Sequence, residues 1–219
     1  MKRFVLVLVG LLLCLGKVAF AGLKEAEDLF QQKKYDEALV EYRKVLPELT
    51  GKEAGYCQLR IGHCLEGQKK YDEAIAEFKK VFAIQGVSPT DMSYAQYCIG
   101  RCLMAQKKYD EAIAEFKKVS TIQGADPTYL SGAQYYIGVC LEAQGKQDEA
   151  QQYYINACKI EGAALYWYKT AFSKINKTKL GREGYIKLLQ DMIFIIQATP
   201  ENAEFLGLLK SELKKLGVE

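Results

Sequence analysis

The sequence predicts an all-α fold, a solenoid of antiparallel helix pairs with a period of about 38 residues, and three observations lead to it. The heptapeptide Gln-Lys-Lys-Tyr-Asp-Glu-Ala occurs at 32–38, 68–74 and 106–112, and a diverged copy occurs at 144–150. The spacing between successive copies is nearly constant. Apolar residues in the copies recur at helical spacing, and glycines follow most copies at the same period. A fixed period of this size is typical of stacked helical hairpins.

Residues 1–21 differ in composition from the rest of the chain. Two basic residues are followed by an uncharged apolar run over 4–15 and by a site of small residues that ends at Ala21. This order is typical of a secretory signal peptide, and the run is short for a membrane span. We expect cleavage after Ala21 and export to the periplasm or the medium. A lipid anchor on Cys14 and a retained segment are the alternatives, although Leu13 is larger than a lipidation site prefers.

The charge of the chain changes when this segment is removed. The segment holds three of the 30 basic residues and none of the 27 acidic ones, so the remainder carries no net charge. Without a basic excess, the chain has no electrostatic attraction for nucleic acid or for an anionic membrane. We therefore expect neither a nucleic-acid partner nor, after cleavage, an integral membrane span.

The second helix of each pair, here called helix B, follows directly from the repeated heptapeptide. In the copy at 55–92, Tyr71, Ala74, Phe78 and Val81 lie on one helical stripe. An Asp-Glu pair opens this helix and a Lys-Lys pair closes it, as the helix dipole favours. Glycines that suit a left-handed stop follow three of the B helices, at Gly86, Gly124 and Gly162.

The first helix of each pair, helix A, is predicted in the second copy from Tyr56 to Gly67. Glycine recurs in the middle of the A helices, at Gly62, Gly100 and Gly138. Because a mid-helix glycine costs about 1 kcal/mol against alanine, its recurrence predicts that helix B approaches closely at that point.

The repeats resemble the tetratricopeptide repeat, whose signature joins a W-x2-L-G-x2-Y helix to an A-x3-F helix. In the second copy the matching segments are Ile61-Gly62-x2-Leu65 and Ala74-x3-Phe78, and the next two copies match in phase. Glutamine holds the tryptophan position, and the period exceeds the family's value of about 34 residues. The extra residues fall in predicted loops that include 87–90 and 125–128. The resemblance implies a right-handed α-α superhelix.

The period and the resemblance together predict the organisation of the chain. We expect four repeats, at 22–54, 55–92, 93–130 and 131–162, and a degenerate fifth helix pair with a capping helix over 163–219.

The last part of the chain is predicted in more detail. Residues 163–174 read as an aromatic-rich helix, 178–181 as a turn and 185–197 as an apolar helix. A final helix from Pro200 to about Leu216 has a polar outer face, which a solenoid needs where its stack meets water.

Six cysteines remain after cleavage, and an exported chain is able to form disulfides. Three of them follow the mid-helix glycines by two residues, where a small apolar side chain suits the packing. We favour buried free thiols, and whether any of the six pair stays open. The six are Cys57, Cys64, Cys98, Cys102, Cys140 and Cys158.

No constellation of catalytic or ligand-binding residues stands out. His63 is the only histidine, paired metal-ligand spacing is absent, and there is neither a phosphate loop nor a nucleophile motif. We therefore expect no enzyme activity, no metal and no cofactor.

Tetratricopeptide solenoids, as the resemblance implies, bind partners on the concave face that their A helices line. Carried over position by position, the outward side chains on this face are of kinds that binding surfaces favour. For Tyr97 and Tyr135 the alternative is packing between repeats. The candidate partner-binding residues are Tyr56, His63, Glu66, Tyr94, Tyr97, Arg101, Met104, Tyr135 and Glu142.

These expectations define a non-catalytic adaptor or scaffold that binds a protein or peptide of the bacterial cell envelope. In its signal peptide and in its Tyr-Cys-Ile-Gly and Tyr-Tyr-Ile-Gly segments, the chain resembles periplasmic repeat proteins of the Tol-Pal-associated and outer-membrane-assembly types. Two alternatives stay open, a self-associating structural module and an accessory factor that contacts peptidoglycan or another glycan. The oligomeric state is left open.

Overall fold

The computed structural model describes residues 21–196 and 199–218, and within them every regular element is helical. The predicted signal peptide lies outside these residues except for Ala21. The chain divides into two compact units, Met1–Gln106 and Lys107–Glu219. Each unit is an array of antiparallel helix pairs, which confirms the predicted fold class.

The first unit contains five α-helices, counted over its described residues. Consecutive helices from α2 onward pack against each other, and α3 also packs against α5, so the A helices are neighbours. Helix α1 contacts α2 through the Glu27 side chain. The helices are α1 (21–31), α2 (Tyr35–Val45), α3 (Gly51–Gly67), α4 (Tyr71–Lys80) and α5 (Pro89–Ala105).

The second unit contains six α-helices over its described residues. Helix α7 packs against α6, α8 and α9, and α10 packs against α11. The helices are α6 (Tyr109–Lys118), α7 (Pro127–Ala143), α8 (Gln147–Cys158), α9 (Leu165–Ser173), α10 (Lys177–Ile195) and α11 (Ala203–Lys215).

The A helices begin earlier than predicted, which shortens the loops before them. Proline is the first residue of α5 and α7, where its missing N–H costs nothing. Ser88 accepts a hydrogen bond from the Asp91 amide at 3.1 Å, and Asp126 accepts one from the Thr128 amide at 2.8 Å. These caps place the helix starts inside segments that the sequence pattern assigned to loops.

The mid-helix glycines lie against the aromatic ring of the following B helix. A Cβ atom built on Gly62 would lie 2.5 Å from Phe78 Cε1, and one built on Gly138 would lie 2.5 Å from Tyr154 Cε1. Both rings are fully buried. Helix B therefore approaches helix A closely at these positions, as the recurrence of glycine predicts.

Left-handed residues end the helices at regular intervals. Gly86, Gly124 and Gly162 have φ of 84°, 75° and 77°, which confirms the predicted stops after the B helices.

The end of the chain departs from the prediction at two places. Residues 178–181, expected to form a turn, belong to α10, and Gly181 kinks this helix with φ 69° and ψ 169°. Asn176 caps the start of α10 by accepting a hydrogen bond from the Lys179 amide at 3.2 Å. The final helix begins at Ala203, three residues after the predicted start at Pro200.

All six cysteines of the described residues are buried and carry free thiols. Burial raises the pKa of the Cys57, Cys64, Cys102 and Cys158 thiols to about 12 and that of Cys140 to about 11. These thiols are protonated at neutral pH and pack as small apolar groups.

Candidate functional site

The A helices of the first unit present a run of polar and aromatic side chains, here called the A-helix face. Glu27, His63 and Arg101 occupy equivalent positions of α1, α3 and α5, since each lies one repeat further along the chain than the one before it. Two clusters of interacting side chains lie along this face.

The first cluster is centred on the Glu27 carboxylate, which accepts hydrogen bonds from four side chains. The Tyr42 and Tyr56 hydroxyls donate to Oε2 at 2.8 and 2.7 Å. The Arg60 guanidinium donates to Oε1 at 2.5 Å, and the Gln31 amide donates to the same atom at 2.7 Å. The cluster therefore joins three helices, α1, α2 and α3, through one acidic residue.

The charge state of Glu27 follows from these contacts. Burial by itself raises the pKa of a carboxyl group, but the hydrogen bonds from Tyr56, Gln31 and Tyr42 and the charge of Arg60 outweigh it, so the pKa lies below its usual value. Glu27 is thus ionised at neutral pH and is neutralised by Arg60.

Aromatic rings flank the Arg60 guanidinium. Its central carbon lies 4.5 Å from the centre of the Phe30 ring and 5.1 Å from that of the Tyr56 ring. Tyr56 is 38% exposed, so one aromatic ring of this cluster is accessible to a partner.

The second cluster is centred on Glu66, near the end of α3. Its carboxylate contacts the His63 Nδ1 atom at 2.9 Å and the Arg101 guanidinium at 2.9 Å. Burial raises the pKa of the Glu66 carboxyl, but the His63 hydrogen bond and the Arg101 charge together hold it below its usual value. The ion pair links α3 to α5, as the Glu27–Arg60 pair links α1 to α3.

The rings around this second cluster are only partly accessible. The His63 ring lies 5.1 Å from the Phe78 ring and 5.3 Å from the Tyr94 ring, centre to centre. Tyr94 is half-buried, and the Arg101 side chain is 35% exposed.

Tyr97, a member of the predicted partner-binding set, is buried in the structure. It is 5% exposed, and its ring stacks on Tyr94 at 6.4 Å and lies 5.8 Å below the Arg101 guanidinium. The packing alternative therefore holds for Tyr97, which supports the face from beneath. Met104, on the same helix, is half-buried.

The second unit places Tyr135 and Glu142 on α7. The Tyr135 ring lies 5.6 Å from both Tyr154 and Trp167, centre to centre, so this half-buried tyrosine packs as well as facing solvent. Glu142 accepts a hydrogen bond from Lys174 Nζ at 3.0 Å, which links α7 to the end of α9. Carboxylate–cation pairs thus join neighbouring A helices in this unit as well.

Three participants in these ion pairs are absent from the predicted set, namely Glu27, Arg60 and Lys174. Glu27 shares the helical phase of His63 and Arg101, and this phase is a sequence signal that could have identified it. Arg60 and Lys174 carry no comparable signal, because their partners lie 33 and 32 residues away in sequence.

The chemistry of these clusters suits recognition of another chain. Among the described residues, no group of three or more acidic, histidine or cysteine side chains could hold a metal ion. Within them, no helix combines the length and apolarity that crossing a membrane requires. The A-helix face offers aromatic rings, guanidinium groups and carboxylates, which bind peptides through stacking and hydrogen bonds.

Comparison with protein families agrees with the geometry. Residues 56–86 and 91–160 each match the family described as "Tetratricopeptide repeat". We conclude that residues 56–86 and 91–160 are tetratricopeptide repeats. Scaffolds of this family are generally non-catalytic and bind protein or peptide partners. No curated protein matches the sequence.

Solved structures with the same fold are distant in sequence. PilF of Pseudomonas aeruginosa is 14% identical, with a TM-score of 0.54 over 92% of this chain and 93% of that one. MamA is 16% identical, with a TM-score of 0.50 over 84% of this chain and 100% of that one. A putative kinesin light chain of Podosopora anserina is 14% identical, with a TM-score of 0.50 over 90% and 92%. At these identities the likeness shows the fold alone.

Proposed function

We propose that this protein is a non-catalytic scaffold of the bacterial cell envelope that binds a protein or peptide along its A-helix face. The observation that carries the proposal is the partial exposure of Tyr56, Tyr94 and Arg101 on two neighbouring A helices, α3 and α5, of one unit. Tyrosine and arginine dominate the energetics of protein interfaces, because they combine large contact areas with directed hydrogen bonds.

The ion pairs limit the kind of partner that the face accepts. Arg60 and Arg101 already hold the Glu27 and Glu66 carboxylates, so a bare carboxylate would have to displace an internal one. A peptide with apolar and aromatic side chains avoids this competition by stacking on the tyrosines. We infer a peptide bound mainly through apolar and aromatic side chains.

The envelope location is part of the proposal and is supported by the composition of residues 1–21. An uncharged apolar run that ends at small residues directs export, and the chain that follows carries no net charge. The Tol-Pal-associated and outer-membrane-assembly types of periplasmic repeat protein remain the proposed setting.

The test begins with cross-linking in native envelopes, followed by purification of the cross-linked partner and measurement of its affinity by calorimetry. We expect Tyr94→Ala and Arg101→Gln each to weaken binding by about 1–2 kcal/mol. The thermal midpoint should change little in either variant. Lys79→Ala, an exposed change on α4 of the same unit, is the matched control and should leave both quantities unchanged.

Two results would contradict the proposal. If both variants bind the partner as tightly as the unchanged chain, the A-helix face is not the site. If Tyr94→Ala unfolds the protein, Tyr94 belongs to the core, and Tyr94→Phe then tests whether the hydroxyl contributes to binding.

A second candidate function, contact with peptidoglycan or another glycan, is favoured by one observation. Tyr166 is 64% exposed on α9, and its ring lies 4.9 Å from the ring of the buried Trp167, so one aromatic ring, supported from beneath by a second, faces solvent in the second unit. Sedimentation with purified cell wall distinguishes this function from peptide binding, since it should depend on Tyr166.

A further inference from the structure

A groove in the second unit lies away from the A helices, between the last two helices of the chain. It has a volume of about 780 Å³, within the range of pockets that hold ligands. Ile193, Leu213 and Val218 supply apolar walls, and Phe194, next to Ile193 in α10, is 91% exposed. The other lining residues are Lys210, Lys214 and Gly217.

Two lysines supply the charge of this groove over the part of the chain that the structure describes. None of the described lining residues is acidic, and neither Lys210 nor Lys214 forms an ion pair with a described residue. A third cation, Arg182, lies at the same end and donates to the Leu216 carbonyl at 2.5 Å.

The nearby acidic residues are committed to other lysines. Glu212, on α11, binds Lys177 and Lys215, each at 2.9 Å, and these partners lower the pKa of its carboxyl to about 2. Asp191, on α10, binds Lys159 at 3.0 Å and Lys187 at 3.4 Å. Among the described residues, the carboxylates of both helices therefore leave the ammonium groups of Lys210 and Lys214 without a partner.

Charge also distinguishes the occupants that an apolar groove could take. The apolar N-terminal segment of this chain carries Lys2, Arg3 and Lys17 and no acidic residue, so the lysines would repel it. A segment with apolar side chains flanked by carboxylates would pack against the apolar walls of the groove and pair with its lysines.

We propose that this groove is a second interaction surface, which binds an acidic amphipathic segment of a partner protein. The segment places apolar side chains against Ile193, Leu213 and Val218, and its carboxylates pair with Lys210 and Lys214. This surface lies outside the A-helix face, so the protein would hold two partner segments at once.

The experiment uses a pair of fluorescent synthetic peptides and the full chain. The acidic probe is a peptide of about 15 residues with glutamates throughout, except for leucines at i, i+4 spacing that share one face when the peptide is helical. The basic probe replaces every glutamate by lysine. We expect saturable binding of the acidic probe in fluorescence anisotropy and binding of the basic probe weaker by about tenfold or more.

Charge reversal at the groove should reverse this preference. In the double variant K210E/K214E, the acidic probe should bind about tenfold more weakly and the basic probe more tightly. The double variant K52E/K79E makes the same change in net charge on exposed lysines of the first unit and should leave both affinities unchanged. Val218→Ser should weaken the acidic probe, whereas Val40→Ser, at a 52% exposed valine of α2, should not.

Three outcomes of the probe experiment would overturn the inference. They are no saturable binding of the acidic probe below about 1 mM, equal affinity for the two probes, and equal effects of the two double variants. A dimer that sedimentation equilibrium detects and K210E/K214E disrupts would show that a second copy of this chain is the occupant, which also overturns the inference. Tyr94→Ala should leave probe binding intact. A negative result for the groove and a negative result for partner binding at the A-helix face are therefore distinguishable.

Discussion

The side chain of Gly62 is a single hydrogen atom, which lets α3 lie directly against the buried ring of Phe78. A methyl group in its place would sit 2.5 Å from the ring carbon Cε1, closer than atoms pack without a shift. The ring is fully enclosed and has little room to move, so the cost falls on the spacing between α3 and α4.

We expect Gly62→Ala to destabilise the protein by about 1–2 kcal/mol, because overpacking outweighs the gain in helix propensity. Gly207, in α11, is the matched control, since no atom lies within 4 Å of a Cβ built there. Gly207→Ala should stabilise the protein by up to about 1 kcal/mol. Urea denaturation of the two variants checks both signs, and a shift in the same direction for both would contradict the assigned contact.

For single residues, the sequence predicts close helix contacts better than it predicts which side chains are exposed to solvent. The recurrence of glycine at one position of each repeat predicts the contacts at Gly62 and Gly138, because such a costly residue recurs only where space demands it. The burial of Tyr97 was not predictable in the same way. Its helical phase places it on the A-helix side, and only the neighbouring rings and the Arg101 guanidinium show that it is covered.

Helices α10 and α11 are joined by charges that titrate at low pH. Glu212 binds Lys177 across the helix pair, and its pKa is lowered to about 2 from an ordinary value of 4.5. Because the folded pKa is depressed, the carboxylate stabilises the fold fully above about pH 4.5, and this contribution is lost as the pH falls towards 2.

We therefore expect Glu212→Gln to lower the urea midpoint near neutral pH. The effect should be small near pH 2, where the folded carboxyl is about half protonated and most of its contribution to stability is lost. Glu161→Gln, at an exposed residue after α8 that forms no ion pair among the described residues, should lower the midpoint at neither pH. A deficit in Glu212→Gln that persists undiminished in acid would show that the side chain acts through packing rather than charge.

The existence and pairing of the repeat helices follow from sequence, but their ends depend on local chemistry that the repeat hides. The apolar stripe predicts α4 and α6 well. Helix α3 starts at Gly51, before the apolar pattern becomes evident, and the predicted turn near Gly181 is a kink within α10. The groove beside α11 depends on how that helix seats against α10, which the spacing of leucines does not determine.

Over the whole chain, buried thiols are distributed through both units. Cys57, Cys64, Cys98 and Cys102 belong to the first, and Cys140 and Cys158 belong to the second. Burial raises the pKa of each thiol, so thiolate, the form that alkylating reagents attack, is scarce even in mildly alkaline buffer. The count of modified cysteines therefore measures folding in each unit.

We predict that the native exported protein takes up no iodoacetamide near pH 8 and takes up six equivalents in concentrated urea. Peptide mapping of partly unfolded samples assigns the label to one unit or the other. Rapid labelling without urea would contradict the burial of the thiols.

The intact mass of the exported protein should correspond to a chain that starts at Gly22, since cleavage after Ala21 removes Cys14. A mass that includes Met1, or a lipid on Cys14, would contradict the proposed export of a cleaved chain and leave the fold unaffected.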